Sequence, residues 1–406
     1  MFFKRRVYLD GAANTPIDRK VLKAMKPFLR PGFVGNSMAI HDYGIAANMA
    51  IERARRDIAE TLKVKVCQDY FTSGATESNN WVIKSIANKI LKEGNKQKIV
   101  CSAVEHASIL NCCKQVEEWG VHVDYVHPNS TATGDRLSFS FKDFVPFCGE
   151  DNVALICAMA VNNEVGTCSD IGDITREAYK CGIPTLVDCT QALSLGGADV
   201  ELGELYPWAT FFSFSGHKIY GPTGVGCLVS RYPGLLTPLI VGGAQEQGTR
   251  GGTMNTAAIV GMAAALKDLH THSELQWRYM KLDILLRQGL WKIDKRIHAN
   301  DTLCQPNIIS LNFSEVLNSD QLATGFAMRG VAVSAGSACD SQHNEAEGEF
   351  NGSHVLKELG LSERDIRNTV RVSFTKHTTA RDIKYFLKQV KELISDEEKL
   401  KNSSDS

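Results

Sequence analysis

Residues 209–230 read ATFFSFSGHKIYGPTGVGCLVS, and this stretch decides the fold. It contains two apolar runs of strand length, 209–215 and 224–230, separated by a lysine-containing loop and a Gly-Pro-Thr-Gly turn. A connection this short favours antiparallel pairing, because a parallel crossover needs about a dozen residues or more. The stretch therefore predicts two neighbouring buried strands, one of which runs against the rest of its sheet.

Similar apolar runs precede this pair and alternate with amphipathic stretches of helical period. The runs are KIVCSA (98–103), VDYVH (123–127), VALICAMAV (153–161) and TLVDCT (185–190), and the helical stretches include 77–93, 105–119 and 172–181. Buried strands that alternate with crossover helices are typical of a mostly parallel sheet covered on both faces. The sequence therefore predicts an α/β fold.

The pattern changes after residue 254, where a long helical stretch, 254–296, begins. Strands are then predicted at NIISLNF (307–313), VAVSAG (331–336) and VRVSF (370–374), and helices near 319–329, 353–360 and 379–396. This order predicts a smaller α+β domain. We expect a large domain at 16–260, a small domain formed by 1–15 and 261–396, and a disordered polar tail at 397–406.

The composition excludes several classes of protein. The 406 residues are 43% hydrophobic and 22% charged, and the net charge of -1 indicates no basic surface for direct nucleic-acid binding. No apolar run has signal-peptide or membrane-spanning length, so we expect a cytoplasmic protein without membrane contact, or an organellar matrix protein if the sequence is a processed form. The twelve cysteines include no Cys-x-x-Cys pair, and we expect them to be reduced and mostly buried.

The lysine of the opening stretch lies in a setting that favours chemistry. Lys218 follows a strand end, where partial desolvation favours a reactive neutral amine that can form a Schiff base. Ser215 and His217, close by in sequence, could donate hydrogen bonds to a phosphate. The alternative for any single lysine of this kind is a solvated loop residue.

Two further strand ends offer partners for such a lysine. Asp188 lies at the carboxyl end of a predicted strand, where open α/β sheets bind ligands, and could keep a pyridinium nitrogen protonated. In TSGATESNN (72–80), Gly74 and Ala75 allow a phosphate to approach the N–H groups of a helix that starts near Thr76. Each motif has an ordinary alternative, a helix-capping or turn residue.

A histidine and a cysteine complete the set. His106 in EHAS (105–108) could stack on a flat ring or shuttle protons, although a single histidine near a helix start is more often an ordinary polar residue. Cys339 in GSACDS (336–341) lies among small and polar residues, which favours an exposed nucleophilic thiol over a buried one. Together these motifs point to pyridoxal 5'-phosphate as the cofactor.

The chain resembles the cysteine desulfurases of the nitrogen-fixation and iron–sulfur-assembly type (NifS/IscS type), within the class V aminotransferases. The resemblance runs from Tyr8 to about residue 396. It rests on YLDGAANTP (8–16), GATESNN (74–80), EHAS (105–108), NNEVGT (162–167), VDCTQA (187–192), SGHKIYGPTGVG (215–226), GGAQEQGTRGGTMN (242–255), SAGSAC (334–339), SHVLKELGL (353–361) and VRVSF (370–374). It implies a fold-type I pyridoxal-phosphate-dependent transferase with a mostly parallel seven-stranded sheet in its large domain.

The resemblance also implies roles for the matching residues. Catalysis is implied for Lys218 as Schiff-base lysine and α-proton acceptor, for Cys339 as persulfide carrier, and for His106, which stacks on the ring. Cofactor binding is implied for the ring partners Asp188, Gln191 and Asn163 and for the phosphate-binding residues Gly74, Ala75, Thr76, Ser215, His217 and Thr253. Substrate binding is implied for Arg371, the carboxylate clamp, with Asn163 and Asn36.

These roles imply a reaction and its partners. L-cysteine is converted to L-alanine, and a persulfide remains on Cys339 for a sulfur-acceptor protein. Thr253 reaches the cofactor phosphate of the neighbouring subunit, which implies a homodimer with shared active sites. The resemblance implies no metal site.

The chain departs from the family pattern in three places. Gly11 and Asn14 stand where the family usually has Asn and Thr, and Ser37 replaces the usual Pro in GNSMAIH (35–41), which leaves the substrate preference open. The acidic loop 340–352 is longer than usual. It either favours a basic acceptor surface or is a solvated insertion, the ordinary interpretation of a charge run.

Other functions stay open at the level of sequence. A selenocysteine or cystine lyase would use the same cofactor, whereas a class V aminotransferase would have no evident use for the GSAC loop. A non-catalytic assembly scaffold or a metal-binding protein would use the cysteines alone. The joint presence of Lys218, Asp188, Gln191 and Arg371 argues against a decayed site.

Overall fold

The computed structural model describes residues 5–65, 68–95, 97–128, 138–148, 152–300, 305–317, 322–335 and 352–404. Cys339 and residues 340–351 of the acidic loop lie outside the described residues. The strands are β1 (Val7–Tyr8), β2 (Asp69–Thr72), β3 (Lys98–Ser102), β4 (His122–Val126), β5 (Val153–Met159), β6 (Thr185–Asp188), β7 (Phe211–Ser215), β8 (Gly226–Ser230), β9 (His298–Ala299), β10 (Ile308–Asn312), β11 (Val331–Ala332), β12 (Ser334–Ala335) and β13 (Thr369–Ser373).

The α-helices connect and cover these strands. They are α1 (Arg19–Met25), α2 (Asp42–Leu62), α3 (Ala75–Glu93), α4 (Ala107–Glu118), α5 (Phe141–Cys148), α6 (Ile171–Lys180), α7 (Leu202–Leu205), α8 (Thr256–His270), α9 (Leu275–Ile293), α10 (Leu322–Met328), α11 (His354–Glu358), α12 (Glu363–Arg367) and α13 (Ala380–Ser404). The stretch 254–296 thus forms two helices rather than one.

Seven strands form the large sheet, in the order β2-β8-β7-β6-β5-β3-β4. Strand β8 is antiparallel to both β7 and β2, and the other pairs are parallel. The prediction of a mostly parallel sheet with one reversed strand is therefore confirmed. The edge strand β2 was not among the predicted apolar runs.

The sheet is buried on both faces, as its nearly continuous apolar strands require. Phe211 belongs to the core that also holds Trp81 of α3 and Ile109 of α4. Its neighbour Phe212 points to the opposite face and belongs to the core that holds Ile58 of α2. The two cores fix the sheet between helix layers, and its carboxyl edge remains available for a site.

A second sheet lies in the carboxyl-terminal third. Four antiparallel strands pair in the order β12-β13-β10-β9, and β1 pairs separately with β11 in parallel. The predicted strand VAVSAG (331–336) is therefore two short strands in two different sheets. Because β1 is at the amino terminus, this pairing ties the first residues of the chain to its last third.

Two further expectations differ from the structure. The last helix was predicted to end near residue 396, before a disordered tail, but α13 continues to Ser404. Reduced thiols were expected throughout, but Cys168 is disulfide-bonded. Seven described cysteines are free: Cys101, Cys112, Cys113, Cys157, Cys181, Cys189 and Cys227. Across the described ranges, no helix combines the length and the apolar character that crossing a membrane requires.

Candidate active site

One cavity of about 350 Å³ opens at the carboxyl edge of the large sheet. The last residues of three adjacent strands line it: Met159 of β5, Asp188 of β6 and Ser215 of β7. Parallel strands end at the same edge, which is where open α/β sheets bind their ligands. The cavity therefore brings together side chains from widely separated motifs.

Lys218 reaches this cavity from a short 3-10 turn, Gly216–Lys218, directly after β7. Its Nζ donates hydrogen bonds to the carbonyl oxygens of Ala12 and Ala13, each at 2.6 Å. These two residues also line the cavity. The amino-terminal segment therefore crosses the site and holds the lysine amine at a defined point.

Asp188 is buried, with hydrogen bonds to both carboxylate oxygens. Asn79 Nδ2 donates to Oδ2 at 3.0 Å, and the Thr190 backbone N–H donates to Oδ1 at 2.9 Å. Asn79 is itself held by Ser213, whose hydroxyl donates to Asn79 Oδ1 at 2.6 Å. Donors on both oxygens fix the direction of the carboxylate toward the cavity.

His106 belongs to the same hydrogen-bond network. It caps the amino end of α4, where its Nδ1 accepts from the Ser108 backbone N–H at 3.1 Å. Asn79 Nδ2 also donates to the Ser108 hydroxyl, at 3.0 Å, so the network runs from His106 through Ser108 and Asn79 to Asp188. Because Nδ1 accepts this bond, the proton of the neutral ring is assigned to Nε2.

The phosphate-type helix start lies on the rim of the cavity. Helix α3 begins at Ala75 with Gly74 as its N-cap, and the Ala75 N–H donates to Ser215 Oγ at 2.8 Å. Thr76 lines the cavity as well. The positive end of the helix dipole and the Ser215 and Thr76 hydroxyls suit a phosphate group.

His217 is a neutral donor beside this helix start. Burial, together with the charges of Lys218 and His106, lowers the pKa of His217 to about 4. At neutral pH the imidazole therefore carries one proton, which it can donate to a phosphate oxygen. The helix start, these donors, Asp188 and Lys218 together fit pyridoxal phosphate: anion donors, a carboxylate for the ring nitrogen, and an amine.

Gln191 and Asn163 also line the cavity. Gln191 is buried, and its Nε2 donates to the Ala12 carbonyl oxygen at 2.9 Å. The Asn163 carbonyl oxygen accepts from Arg371 Nη1 at 2.8 Å. Both residues thus belong to the same cavity as Lys218 and Asp188.

Arg371 extends from β13 into the cavity and connects the second sheet to the site. Its Nη2 pairs with Asp10 Oδ1 at 2.9 Å, and its Nη1 binds the Asn163 carbonyl. Its Nε is buried and has no hydrogen-bond partner among the described residues. The guanidinium is therefore held in place, and the second N–H of each Nη is left for an incoming carboxylate.

Gly74 directly precedes the lining residue Ala75 without itself belonging to the described lining, and three further predicted site residues are not placed in the cavity. Thr253 and Asn36 are exposed on the single chain, and neither belongs to the cavity lining that the described residues form. Cys339 lies outside the described residues. The roles of these three residues stay predictions.

The structure adds site residues that the sequence analysis did not single out. Asp10 and Asn79 orient Arg371 and Asp188, and their partners are far away in the chain, so spacing gave no signal for these contacts. Glu105 is buried next to His106, and desolvation raises its pKa to about 8. Its Oε1 accepts from the Met159 N–H at 2.7 Å, so it braces the end of β5.

His354 and Glu164 complete the wall of the cavity. His354 Nε2 lies 3.0 Å from the Glu105 carbonyl oxygen, to which it donates, and the Ser353 hydroxyl donates to Glu164 Oε2. These contacts fix the start of α11 against the site. The only available signal was the match of SHVLKELGL (353–361) to the family pattern.

Comparison with known proteins agrees with this geometry. Residues 7–386 match the family described as aminotransferase class-V. The chain is 35% identical over 404 residues to the cysteine desulfurase IscS of Dictyoglomus turgidum, which covers 99% of this chain and 97% of that protein. The chain thus spans nearly the whole of this relative.

Solved structures show the same similarity in three dimensions. A structure described as a NifS-like protein superposes with a TM-score of 0.83 at 32% identity, over 96% of this chain and 100% of that one. A structure of SspA in complex with cysteine superposes with a TM-score of 0.74 at 33% identity, over 92% of this chain and 100% of that one. The chain therefore belongs to the aminotransferase class-V family, in its cysteine desulfurase branch.

Proposed function

We propose that the protein is a pyridoxal-phosphate-dependent cysteine desulfurase, which converts L-cysteine to L-alanine and carries the sulfur as a persulfide on Cys339. The observation that carries the proposal is the meeting of Lys218, Asp188 and Arg371 in one cavity. An amine, a ring-nitrogen partner and a carboxylate clamp are the groups that an amino-acid substrate and this cofactor require. A related structure, SspA, contains bound cysteine.

The residues around the ring control its charge. When bound, pyridoxal phosphate supplies the electron sink that stabilises negative charge on the substrate's α-carbon. Asp188, oriented by Asn79 and Thr190, holds a proton on the ring nitrogen. Lys218 Nζ would accept the α-proton, and the carbonyl oxygens of Ala12 and Ala13 hold the amine in the cavity.

The substrate carboxylate has its own partner in the cavity lining, Arg371. Arg371 binds the substrate carboxylate through N–H groups that Asp10 and Asn163 leave available. The Cys339 thiolate attacks the substrate sulfur, so that a sulfur–sulfur bond forms while the bond between the substrate's β-carbon and sulfur breaks. The electron pair stays with the substrate carbon, which takes up a proton and leaves as alanine.

The proposal includes a homodimer that shares its active sites. Exposed apolar side chains concentrate in one segment of the chain, and Ile40 in it is 95% exposed. The exposed apolar residues of this segment are Leu29, Val34, Met38, Ile40, Tyr43, Ile45 and Met49. Exposed apolar side chains in this number support a protein interface in the segment, and Thr253 is exposed as a residue that serves a partner subunit would be.

The sulfur leaves on an acceptor protein, and a reducing compartment such as the cytoplasm suits this cycle. Cys339 must begin each turnover as a free thiol, because a disulfide at that position could not attack the substrate sulfur. An acceptor thiol then takes the sulfur by attack on the persulfide.

A single incubation tests the activity. The purified holoprotein is given L-cysteine, and alanine and sulfide are measured with a reducing acceptor present. We expect equal amounts of both products, no turnover by Lys218→Ala, and no persulfide on Cys339→Ala. Full sulfur release by Cys339→Ala, or turnover of selenocysteine but not of cysteine, would move the assignment to a lyase.

A further inference from the structure

The segment Val241–Asn255, called the strap here, contains Thr253 and folds back on itself. The Gly251 N–H donates to the Ile240 carbonyl oxygen at 2.8 Å. A Cβ at Gly251 would lie 2.6 Å from the Gly242 Cα, so the two ends of the strap touch through their backbones. The strap is therefore a closed loop whose position depends on what it contacts outside itself.

One contact joins the strap to strand β2. Glu246 is buried, its Oε1 pairs with Arg55 Nη2 at 2.7 Å, and its Oε2 accepts from the Phe71 N–H at 3.0 Å. Glu246 and Gln247 have φ of 45° and 58°, left-handed values that cost energy for residues other than glycine. The buried pair offsets this cost and fixes the strap beside the last residues of β2.

A second contact joins the strap to the start of α3. Arg250 Nε and Nη2 bind Glu77 Oε1 and Oε2 at 2.8 and 3.1 Å, a two-bond pair. The Ser73 N–H donates to Glu77 Oε2 at 2.7 Å. Burial alone would raise the pKa of Glu77, but the hydrogen bonds from Arg250 and Ser73 outweigh it and lower that pKa, so the pair is charged at neutral pH.

The two contacts lie on either side of the phosphate-binding turn, residues 73–76. Phe71 precedes this turn, and Glu77 follows it. Only Gly251 and Gly252 separate Arg250 from Thr253, so the Cα atoms of these two residues lie at most roughly 11 Å apart. A shift of Arg250 therefore shifts both the turn that it holds and the threonine that follows it.

We propose that Arg250 and Glu77 are positioning residues that tie the phosphate-binding turn of one subunit to the strap that delivers Thr253 to the other. This rests on the proposed homodimer, because Thr253 needs a neighbouring phosphate to contact. Neither Arg250 nor Glu77 belongs to the cavity lining formed by the described residues. They act through the turn and the strap, and leave the reacting groups untouched.

A double-mutant cycle on the holoenzyme tests the link. The dissociation constant of pyridoxal phosphate is measured from the absorbance of the reconstituted protein for wild type, Arg250→Met, Thr253→Ala and the double variant. We expect each single change to weaken cofactor binding about tenfold. The double variant should bind the cofactor as tightly as the weaker-binding of the two single variants. Arg250→Lys, which keeps the charge but loses one of two bonds, should recover part of the loss.

The controls separate this inference from the proposed function. Arg176→Met removes an exposed arginine that pairs with Asp173 on α6, and should leave cofactor binding unchanged. Glu77→Gln should reproduce Arg250→Met. The inference would be overturned if the two losses of cofactor affinity multiplied in the double variant. It would also be overturned if Arg250→Met and Arg250→Lys bound the cofactor like wild type. Neither result would affect the wild-type turnover on which the proposed function rests. A wild-type protein that binds no cofactor would overturn the proposed function instead.

Discussion

At the scale of the single residue, Arg371 shows how a binding group is prepared before its ligand arrives. Asp10 and the Asn163 carbonyl each bind one N–H of its two Nη groups, which leaves the second N–H of each group for a ligand. A lysine offers a point charge and cannot make these three contacts together. The planar fork of arginine is therefore needed at this position.

Arg371→Lys should raise the KM for L-cysteine about tenfold or more, since one charge-assisted bond is worth at least that factor. The kcat should fall less, because Lys218 and Asp188 are untouched. Steady-state kinetics measures both constants, and Arg296→Lys, at an exposed pair with Asp294, serves as the control. An unchanged KM would show that the carboxylate binds elsewhere.

His217 gives a prediction about pH. Its pKa is lowered to about 4 in the folded protein by burial and by the charges of Lys218 and His106. Unfolded chains protonate histidine near 6.5, so the stability that His217 contributes is present above that pH and is lost as the pH falls toward 4. In the cofactor-free protein, the NMR signal of His217 should not titrate above about pH 5.

The loss of stability that accompanies protonation of His217 should also appear in thermal unfolding. Wild type should lose more stability than His217→Gln between pH 6.5 and pH 4, since glutamine does not titrate. A His217 signal that titrates near 6.5, or equal losses in both proteins, would contradict the buried neutral state.

Most residues of this site could be predicted from the sequence, and those that could not be predicted have one feature in common. Lys218, Asp188 and Ser215 could be predicted because each lies at or just after the end of a buried strand, and strand ends meet at one edge. Asp10 could not, because its partner is 361 positions away and their contact depends on two sheets and their connection. Asn79 was visible only as a polar residue in the first turns of a helix.

At the scale of the element, the close approach of β8 to the phosphate-binding turn leaves no room for a side chain. A Cβ at Gly226 would lie 2.5 Å from the Gly74 Cα and 2.6 Å from its carbonyl carbon, both backbone atoms. Gly226 also pairs with Thr72 and Ser215 in neighbouring strands. The sheet therefore has no freedom to move away from an added methyl group.

Gly226→Ala should destabilise the protein by about 1–3 kcal/mol and weaken cofactor binding several-fold, because the turn must shift. Thermal unfolding with and without added cofactor measures both effects. Gly234→Ala is the matched control, since no atom lies within 4 Å of its added Cβ. Equal behaviour of the two variants would show that the turn accommodates the methyl group.

Strands with long apolar runs could be predicted from the sequence, whereas strands that are defined mainly by their pairing partners could not. The strands β3 to β8 follow their apolar runs closely. Strand β2, Asp69–Thr72, is four residues long and begins with an aspartate, so only its pairing with β8 identifies it. VAVSAG (331–336) has the composition of one strand, but it forms two strands with different partners. Strand β11 pairs with β1, and β12 pairs with β13.

At the scale of the whole molecule, neither the predicted phosphate contact of Thr253 nor the exposed apolar surface has a function in a single chain. Thr253 is exposed, and so are seven large apolar side chains in the segment from Leu29 to Met49. The proposed homodimer would account for both at once, since an isologous interface would cover the same surface on both subunits and bring each strap to the other subunit. Sequence composition could not show this, because exposure is a property of the fold.

Ile40→Asp should separate the subunits. The wild-type side chain is 95% exposed, so the aspartate costs the single chain no packing, but burial at an interface would lose about 2 kcal/mol of apolar contact per copy and enclose a charge. Light scattering should show a monomer, and cofactor binding should weaken to the level of Thr253→Ala. Met328→Asp, at an exposed position on α10, should stay dimeric with normal cofactor affinity. A dimeric Ile40→Asp protein would place the interface elsewhere, and a monomer with wild-type cofactor affinity would show that each subunit completes its own site.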